Sequence, residues 1–427
     1  MGEPDERVTL RLDSLAFGGD AVGRDDGGRV VFVPGGAPGD LVEVRLTERR
    51  KAWARGEIER VLEPGRRAAA PCPLAAQCGG CPWMHVEVAA QLEAKDDIVE
   101  RALARTEAKV EPILAAPEWL GYRRRARMTS RGGAVGFQVR RSHLVIDVER
   151  CVALDPRLDA AMQAARQALR HALGEGGTIS GLVSVDGRVH LTVECGERST
   201  PETLADAACD LVGHDRIVGI GVRSPEGNTL RFYGEPRLEL DAAFFSSAAG
   251  FAQANAGQND ILRRMVVRWA LPEGDTVPRV LELYAGDGNF TRDLVKRGRV
   301  LAVEGDPDAG ARLVDNLRAA SPRTPESPQR WSVRAEPSAQ AVKRLVAAGE
   351  QFDVVVLDPP RTGAADVLDG LAALGPSRIV YVSCDPMTLA RDVIRLETLG
   401  FRGSRAQPIE MMPHTSHVEV VCLLERA

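Results

Sequence analysis

The sequence predicts a multidomain protein with an N-terminal small β-barrel, a central α+β domain and a C-terminal α/β domain. Three observations lead to this fold class. At 427 residues, the chain is longer than one hydrophobic core usually organises. Short apolar runs separated by glycine pairs fill the first part of the chain, whereas strands alternate with helical segments from about residue 250. The predicted domains are residues 1–66, 67–248 and 249–427.

The composition indicates a soluble globular protein, with 44% hydrophobic and 27% charged residues. No apolar run approaches the roughly 20 residues that a membrane span requires, so no membrane partner is expected. The acidic N-terminus lacks the apolar core of a signal peptide. We therefore expect a cytoplasmic protein, and by default a monomer.

The formal net charge of −5 argues against indiscriminate nucleic-acid binding, but the charge is uneven. Residues 45–67 contain eight basic and four acidic residues, and residues 118–150 contain eight arginines and three acids. The densest cluster comprises Arg123, Arg124, Arg125 and Arg127. A solvated face is the simpler interpretation of a charged run. Two such segments in one chain favour RNA, whose phosphates the arginines are expected to hold.

The N-terminal domain is predicted to be a barrel of OB type. Residues 8–12 and 40–46 alternate between apolar and polar, and residues 29–33 are rich in β-formers, with glycine-rich turns between them. OB barrels often hold oligonucleotides. The pattern resembles a TRAM domain, which implies RNA binding, and an unrelated small barrel is the alternative.

The middle of the chain mixes helical and strand patterns, which indicates an α+β domain. Residues 68–82 are rich in Pro, Ala and Cys and are predicted to be a linker that carries a metal site. Predicted helices cover residues 86–105, 156–173 and 201–212, and predicted strands cover residues 144–148 and 189–193.

A cysteine cluster lies in that linker. Cys72, Cys78 and Cys81 form C-x5-C-x2-C, and Cys151 is the candidate for a fourth ligand. Four thiolates suit either zinc or an iron–sulfur cluster. Without a secretory signal a disulfide framework is disfavoured. The remaining thiols outside the C-terminal motifs lie in apolar segments and are predicted to be core residues: Cys195, Cys209 and Cys422.

The C-terminal domain is predicted to contain a parallel sheet, because its strands are continuously apolar and helical segments separate them. The predicted strands are residues 280–283, 300–304, 352–357 and 378–382. Ligands of such sheets bind beyond the carboxyl ends of the strands. A glycine turn, Glu304, Asp358 and Cys384 all follow or end these strands.

The turn of residues 281–290 contains Gly286-x-Gly288, which lets the backbone approach a ligand. Glu304 ends the next strand, where an acid can accept hydrogen bonds from a ribose. A third glycine at the phosphate-binding spacing is missing. This disfavours NAD and favours a ligand without pyrophosphate, such as S-adenosylmethionine.

Together these motifs resemble the RNA 5-methyluridine methyltransferases, the TrmA and RumA family, over nearly the whole chain. The resemblance implies a Rossmann-like methyltransferase domain, with Cys384 as nucleophile and Glu419, in the segment 414–419, as general base. It implies that S-adenosylmethionine contacts five residues: Gln253 of F-x-Q-x-N, Tyr284, Asn289, Glu304 and Asp358 of D-P-P-R. It also implies that Cys72, Cys78, Cys81 and Cys151 hold a [4Fe–4S] cluster, to which we assign a folding or RNA-positioning role.

The sequence departs from the family at two positions. Asp385 stands where many members have Asn, and Ala285 stands where many have Cys. The negative charge of Asp385 is expected to raise the pKa of Cys384. An adenine-side contact by Glu336 is a further suggestion, and Arg361 is expected either to hydrogen-bond the substrate or to brace Asp358.

The reaction implied is methylation of carbon 5 of a specific uridine through a covalent Cys–uracil adduct. The barrel and the cysteine cluster favour 23S ribosomal RNA over transfer RNA by analogy. The target base must leave its stack to reach both reacting groups. Three alternatives remain: methylation of another RNA atom, radical S-adenosylmethionine chemistry, and a non-catalytic RNA-binding protein with a degenerate methyltransferase domain.

Overall fold

The computed structural model shows a closed barrel, a seven-stranded sheet, a two-stranded hairpin and an eight-stranded sheet. It describes residues 6–224, 230–241, 244–274, 277–320 and 329–427. The predicted multidomain fold class is confirmed. Within these residues, no helix is both long and apolar enough to cross a bilayer.

The N-terminal barrel has the strand order β1-β2-β3-β5-β4, and β4 pairs with β1 to close it. Its strands are β1 (Arg7–Leu15), β2 (Ala21–Arg24), β3 (Val30–Val33), β4 (Leu41–Arg49) and β5 (Trp53–Glu63). Alternate residues point inward, so Leu10, Leu12, Val42 and Val44 are buried. The sequence analysis assigned strands at β1, β3 and β4 but none at β2 or β5.

One helix joins the barrel to the C-terminal domain. In α1 (Val88–Leu103), Ala90, Ala94 and Ile98 recur every four residues and pack into the barrel core. Val99 and Leu103 pack instead into the core of the C-terminal sheet. Because both faces of α1 are buried, the barrel and the C-terminal domain have a fixed relative position.

The central sheet has the order β13-β12-β11-β10-β7-β8-β9. Its elements are β7 (Arg125–Arg131), β8 (Ala134–Gln138), β9 (Val145–Asp147), α2 (Pro156–Leu169), β10 (Thr178–Val183), β11 (Val189–Glu194), α3 (Pro201–Leu211), β12 (Ile217–Arg223) and β13 (Leu230–Gly234). The apolar faces of α2 and α3 share one core with the sheet. The hairpin of β14 (Leu238–Asp241) and β15 (Phe244–Ser246) follows.

The C-terminal sheet has the order β18-β17-β16-β19-β20-β22-β21-β6. The elements are β6 (Lys109–Val110), α4 (Ala256–Ala270), β16 (Arg279–Leu283), α5 (Thr291–Leu294), β17 (Arg299–Glu304), α6 (Pro307–Ala320), β18 (Trp331–Ala335), α7 (Ser338–Ala347), β19 (Val354–Leu357), α8 (Leu368–Ala373), β20 (Arg378–Ser383), α9 (Pro386–Thr398), β21 (Phe401–Ile409) and β22 (Glu419–Arg426). Strand order reverses around β16, which is where such sheets bind ligands.

The prediction of a parallel sheet holds for β16 to β20 but is incomplete. The strand β22 pairs antiparallel with β20 and with β21, and neither β21 nor β22 was predicted. Nearly every residue of β22 is buried, so it lacks the alternation by which an antiparallel strand is usually identified. Its antiparallel direction brings the start of β22 to the edge at which β20 ends.

A fully buried ion pair ties α1 to the end of β21. Lys95 Nζ donates to both carboxylate oxygens of Glu410, at 2.6 and 2.7 Å, and neither side chain is exposed. Burial lowers the pKa of Lys95 and raises the pKa of Glu410, while each charge opposes the shift of the other. The pair is therefore costly to break from one side only.

Lys95→Met is expected to lower the free energy of unfolding by about 3–5 kcal/mol, because it leaves the Glu410 carboxylate buried and unpaired. The double variant Lys95→Met/Glu410→Leu should recover most of that loss. A urea titration followed by circular dichroism measures both. Arg101→Met is the matched control, since Arg101 pairs with Asp97 at the surface of the same helix and should cost less than about 1 kcal/mol. A single variant as stable as the control would contradict this assignment.

Candidate active site

The glycine turn follows β16 at the carboxyl edge of the C-terminal sheet. Tyr284, Gly286 and Gly288 have φ values of 60°, 56° and 97°. A Cβ atom on Gly288 would lie 2.6 Å from Leu313 Cδ1, so this position requires glycine. Tyr284 is not a glycine, and a left-handed conformation at such a residue is a form of strain that concentrates at functional sites.

Glu304 ends the neighbouring strand β17 and faces this turn. Its Oε2 accepts the backbone N–H of Gly286 at 2.7 Å, and its Oε1 accepts the N–H of Asp306 at 2.7 Å. Each carboxylate oxygen retains a further lone pair for a ligand hydroxyl. The geometry is compatible with the predicted ribose contact.

The amide of Asn289 is already engaged. Its Oδ1 and Nδ2 form a reciprocal pair of 2.9 Å hydrogen bonds with the side chain of Asn259 on α4. This pair attaches the glycine turn to α4. The Asn289 side chain therefore has less hydrogen-bonding capacity left for the predicted cofactor contact than the sequence pattern suggested.

Gln253 lies just before α4 and is held by the arginine cluster. The backbone oxygen of Gln253 accepts Arg124 Nε at 2.9 Å, and the Arg124 N–H donates to Ala254 O at 2.8 Å. Arg125 donates to the carbonyl of Gly250. Burial lowers the pKa of both guanidinium groups. The F-x-Q-x-N segment is thus held by the buried Arg124 and the half-buried Arg125.

This arrangement leaves fewer arginines of the cluster available to RNA phosphates than the sequence suggests. Arg124 is buried, and both it and Arg125 donate to backbone carbonyls of the 250–254 segment. Arg127 is exposed but pairs with Glu194 at 2.7 Å. Arg124 and Arg125 therefore brace the backbone of the 250–254 segment, a role that the sequence alone cannot distinguish from that of a surface patch.

Cys384 and Glu419 lie side by side although 34 positions separate them in the sequence. The last residue of β20, Ser383, pairs with Val420 in the antiparallel ladder. Cys384 follows Ser383, and Glu419 directly precedes Val420, so the two residues are the next pair along the ladder. Asp358 follows the end of β19, the other neighbour of β20. A thiol and two carboxyl groups therefore meet at one edge of the sheet.

Burial governs the electrostatics of these three groups. The pKa of Asp358 is raised to about 7 by burial of its carboxyl group. Burial and the charge of Asp358 raise the pKa of Glu419 well above its usual range, with Arg361 opposing. Glu419 is 5% exposed and its Oε1 has no hydrogen-bond partner. A carboxyl group in this condition holds or accepts a proton near neutral pH.

The thiol of Cys384 is shifted in the same direction. Burial first, then the charges of Glu419 and Asp358, raise its pKa to about 11, while the charge and a hydrogen bond of Arg361 lower it. Asp385 was expected to cause this shift. Its Oδ1 instead accepts the N–H groups of Met387 and Thr388 and caps α9, so the larger contributions come from the two other acids.

The four predicted cysteine ligands line one cavity of about 980 Å³ between the linker and the central sheet, namely Cys72, Cys78, Cys81 and Cys151. Burial first, and then charge on Cys151, Cys78 and Cys72, raises the pKa of Cys81 to about 12. In the described residues, no three His, Cys, Asp or Glu side chains are close enough to hold a single metal ion.

The structure also places several other residues that were predicted from the sequence. Cys195 and Cys422 are buried as predicted, whereas Cys209 on α3 is exposed, which corrects its assignment to the core. Glu336 follows β18 and pairs with Arg344 at 2.9 Å. Gln91 and Lys95, two buried polar residues of α1, were not predicted from the sequence. They are spaced four residues apart and each follows a buried apolar position, which could have indicated that they lie on a buried face of the helix.

Comparison with known proteins agrees with this site. The family described as tRNA (uracil-5-)-methyltransferase matches residues 241–427, and the TRAM domain matches residues 6–58. The 23S rRNA (uracil(1939)-C(5))-methyltransferase RlmD of Chromohalobacter salexigens is 34% identical over 98% of this chain and 89% of its own length. The RlmD of Cronobacter sakazakii is 33% identical over 99% of this chain and 96% of its own.

The crystal structure of a Pyrococcus abyssi tRNA (uracil-54, C5)-methyltransferase with S-adenosyl-L-homocysteine shares the fold. Its TM-score is 0.71 at 23% identity, over 97% of this chain and 100% of that one. The profile matches and the full-length relatives show that the chain belongs to the family of RNA uracil-C5-methyltransferases.

Proposed function

We propose that this protein methylates carbon 5 of one uridine in 23S ribosomal RNA through a covalent adduct with Cys384. The observation that carries the proposal is the placement of Cys384 beside Glu419 at the edge that also bears the glycine turn. The RlmD relatives, which act on 23S ribosomal RNA by name, support the choice of RNA. Transfer RNA, the substrate named for the Pyrococcus abyssi structure, is the second candidate.

S-adenosylmethionine, when bound, supplies the methyl group from a positively charged sulfonium. The residues that would hold it are Gln253, Tyr284, Asn289, Glu304 and Asp358, which surround or follow the reversal point of the sheet. The donor set suits a cation with hydroxyl groups, because it offers carboxylate and amide oxygens rather than a phosphate-binding loop. The strained turn at Tyr284 is held ready for such a ligand.

The thiolate of Cys384 forms a bond to carbon 6 of uracil, and the electrons of the 5,6 double bond move toward the carbonyl oxygen at carbon 4. Carbon 5 is then nucleophilic and forms its new bond to the methyl group as the bond from methyl to the sulfonium sulfur breaks, which leaves a neutral thioether. Glu419 takes the remaining proton from carbon 5, the double bond re-forms, and the carbon–sulfur bond breaks to release the thiolate. Arg361 stabilises that thiolate and lowers the pKa of Cys384, which burial and the two acids still raise to about 11.

We propose domain boundaries at residues 66/67 and 248/249. The barrel and the central domain would position RNA for the catalytic domain.

In the barrel, several basic side chains have acidic partners, as in the pairs Arg7–Glu59, Arg11–Glu63 and Arg45–Glu57. Such pairs reduce the charge available to phosphates. We propose a monomer, because one chain supplies every residue of the site, and a cytoplasmic location, where ribosomal RNA is modified.

We also propose that Cys72, Cys78, Cys81 and Cys151 hold a [4Fe–4S] cluster. Their shared cavity supports this assignment. Zinc, which four thiolates also suit, is the alternative occupant of this site. The cluster would supply a covalent cross-link between the linker and the central domain, which suits a folding role rather than a reaction step.

Cys384→Ala is expected to form no covalent RNA adduct and to lose methylation by at least about 1,000-fold, because carbon 5 is then never activated. Glu419→Gln should still transfer methyl groups once and then accumulate a methylated adduct, since proton removal follows methyl transfer. Denaturing gel electrophoresis with labelled cofactor measures both. Normal turnover by Cys384→Ala would rule out the covalent route.

Adduct formation is expected to become faster with rising pH between about 7 and 9, since the thiolate fraction grows toward a pKa of about 11. Arg361→Gln removes the cation that lowers this pKa, so adduct formation should be slower at pH 7.5 and recover as the pH is raised. RNA carrying 5-fluorouridine isolates this step, because no proton can leave carbon 5. Arg395→Gln, on the outer face of α9, is the control. Identical profiles for both variants would exclude this role of Arg361.

Anaerobically purified protein should contain about four iron atoms and four labile sulfides per chain. Cys81→Ser is expected to lower the iron content severely and to reduce thermal stability, because it removes one of the four proposed ligands. The exposed Cys209→Ser is the matched control and should retain full iron. Stoichiometric zinc in place of iron, or equal iron in both variants, would contradict the cluster assignment.

A further inference from the structure

The loop of residues 410–418, which leads from β21 to Glu419, is held by parts of the chain that lie more than 290 positions earlier. Lys95 binds Glu410 at its start, and Tyr122 donates to Pro413 O at 3.1 Å. Gly18 of the barrel donates its N–H to Ser416 Oγ at 3.2 Å. The loop is therefore held by the N-terminal half of the protein as well as by its own domain, where Gln258 Nε2 donates to Glu410 O at 3.1 Å.

His414 is the most constrained residue of this loop. It has a φ of 63°, a conformation that a side chain other than glycine rarely adopts. Its backbone N–H donates to Gln91 Oε1 at 3.1 Å, and its backbone oxygen accepts the N–H of Trp83 at 3.0 Å. Its ring packs edge-on against Trp119, with centroids 5.4 Å apart. Strained residues persist only where their surroundings determine them in this way.

Gln91 uses its whole amide for this purpose. It is fully buried, and its Nε2 donates to Val86 O at 2.8 Å and lies 3.3 Å from His414 Nδ1. Burial lowers the pKa of His414 to about 4, so the ring is neutral and Nδ1 can accept that hydrogen bond. One side chain of α1 thus holds both the backbone and the ring of His414.

The position of this residue along the loop links it to the chemistry. Glu419 pairs with Ile409 across the base of the loop, so the two loop ends are fixed by the sheet. Between them, burial and the charge of Arg361 lower the pKa of His417, and the same cation opposes the pKa shifts of Cys384 and Glu419. His414 lies five residues before Glu419 in this loop.

We propose that Gln91, acting through His414, is a positioning residue for Glu419 and thus for removal of the proton from carbon 5. This inference rests on the proposed role of Glu419. It implies that the N-terminal half contributes to a chemical step as well as to RNA binding. Under this proposal, α1 and the catalytic domain together form one active site.

Gln91→Ala is expected to behave as a weaker form of Glu419→Gln. With 23S ribosomal RNA transcript, single-turnover methyl transfer should stay within about threefold of wild type, whereas product release slows at least tenfold and a methylated covalent adduct accumulates. With 5-fluorouridine RNA, where Glu419 has no proton to remove, Gln91→Ala should form adduct at the wild-type rate.

Gln407→Ala is the matched control. This glutamine of β21 also ties the sheet to an earlier segment, because its Nε2 donates to Pro112 O at 2.6 Å. Its other acceptor is Pro408 O at 3.1 Å, which lies outside the 410–418 loop. It should show no adduct accumulation. At His414 itself, Gly tolerates the positive φ and should release product faster than Val, whose branched side chain does not.

The outcomes separate the two proposals. If Glu419→Gln accumulates adduct but Gln91→Ala either turns over normally or loses methyl transfer and release equally, the positioning role is overturned and the proposed function stands. If Glu419→Gln itself accumulates no adduct while wild type does methylate, the proposed role of Glu419 fails, and the positioning role fails with it. His414→Val performing as well as His414→Gly would also count against the inference.

Discussion

The backbone ladder between β20 and β22 is the constraint on which the rest of the site depends. The proposed reaction adds a nucleophile to one carbon of a double bond and removes a proton from the neighbouring carbon. The nucleophile and the base must therefore lie close to each other. The antiparallel pairing of Ser383 with Val420 provides this spacing, because Cys384 and Glu419 are the next residues on the two strands. Parallel pairing would have placed the start of β22 at the opposite edge.

That placement has an electrostatic cost. A thiol and two carboxyl groups share a poorly hydrated edge, and burial raises the pKa of each of them. Their shifted pKa values suit proton transfer, since a fully ionised set of three like charges would be unstable there. Arg361 is the nearby cation that opposes the shifts of Cys384 and Glu419, and a cationic methyl donor would add to its effect. A positively charged ligand would therefore be stabilised at this edge of the sheet.

The parts of the fold that could be predicted are those encoded by short stretches of sequence. The glycine turn, the strand ends at Glu304 and Asp358, and the cysteine spacing each depend on neighbouring residues, and the structure shows all of them at the expected ends or around one cavity. The OB-type barrel was likewise readable from its alternation, although β5 was not. These features carry the resemblance to the family.

Long-range partners could not be predicted in the same way. Arg124 and Lys95 look like surface residues in the sequence, yet both are buried because distant segments supply a carbonyl oxygen or a carboxylate. Asn289 matches a cofactor motif but is engaged by Asn259, which no local pattern reveals. The same holds for the 410–418 loop, whose support comes from α1 and the barrel. Each case depends on which distant segments meet in space, and no short stretch of a single sequence reveals those contacts.

The most direct test of this account is methyl transfer from labelled S-adenosylmethionine to unmodified transcripts of 23S ribosomal RNA and transfer RNA, followed by nucleoside mass spectrometry and mapping. The account predicts 5-methyluridine at one position of the ribosomal transcript and none in transfer RNA. Label in transfer RNA alone would keep the chemistry and replace the substrate. Iron-replete protein that binds the cofactor but labels neither transcript, or that forms a product other than 5-methyluridine, would contradict the central claim.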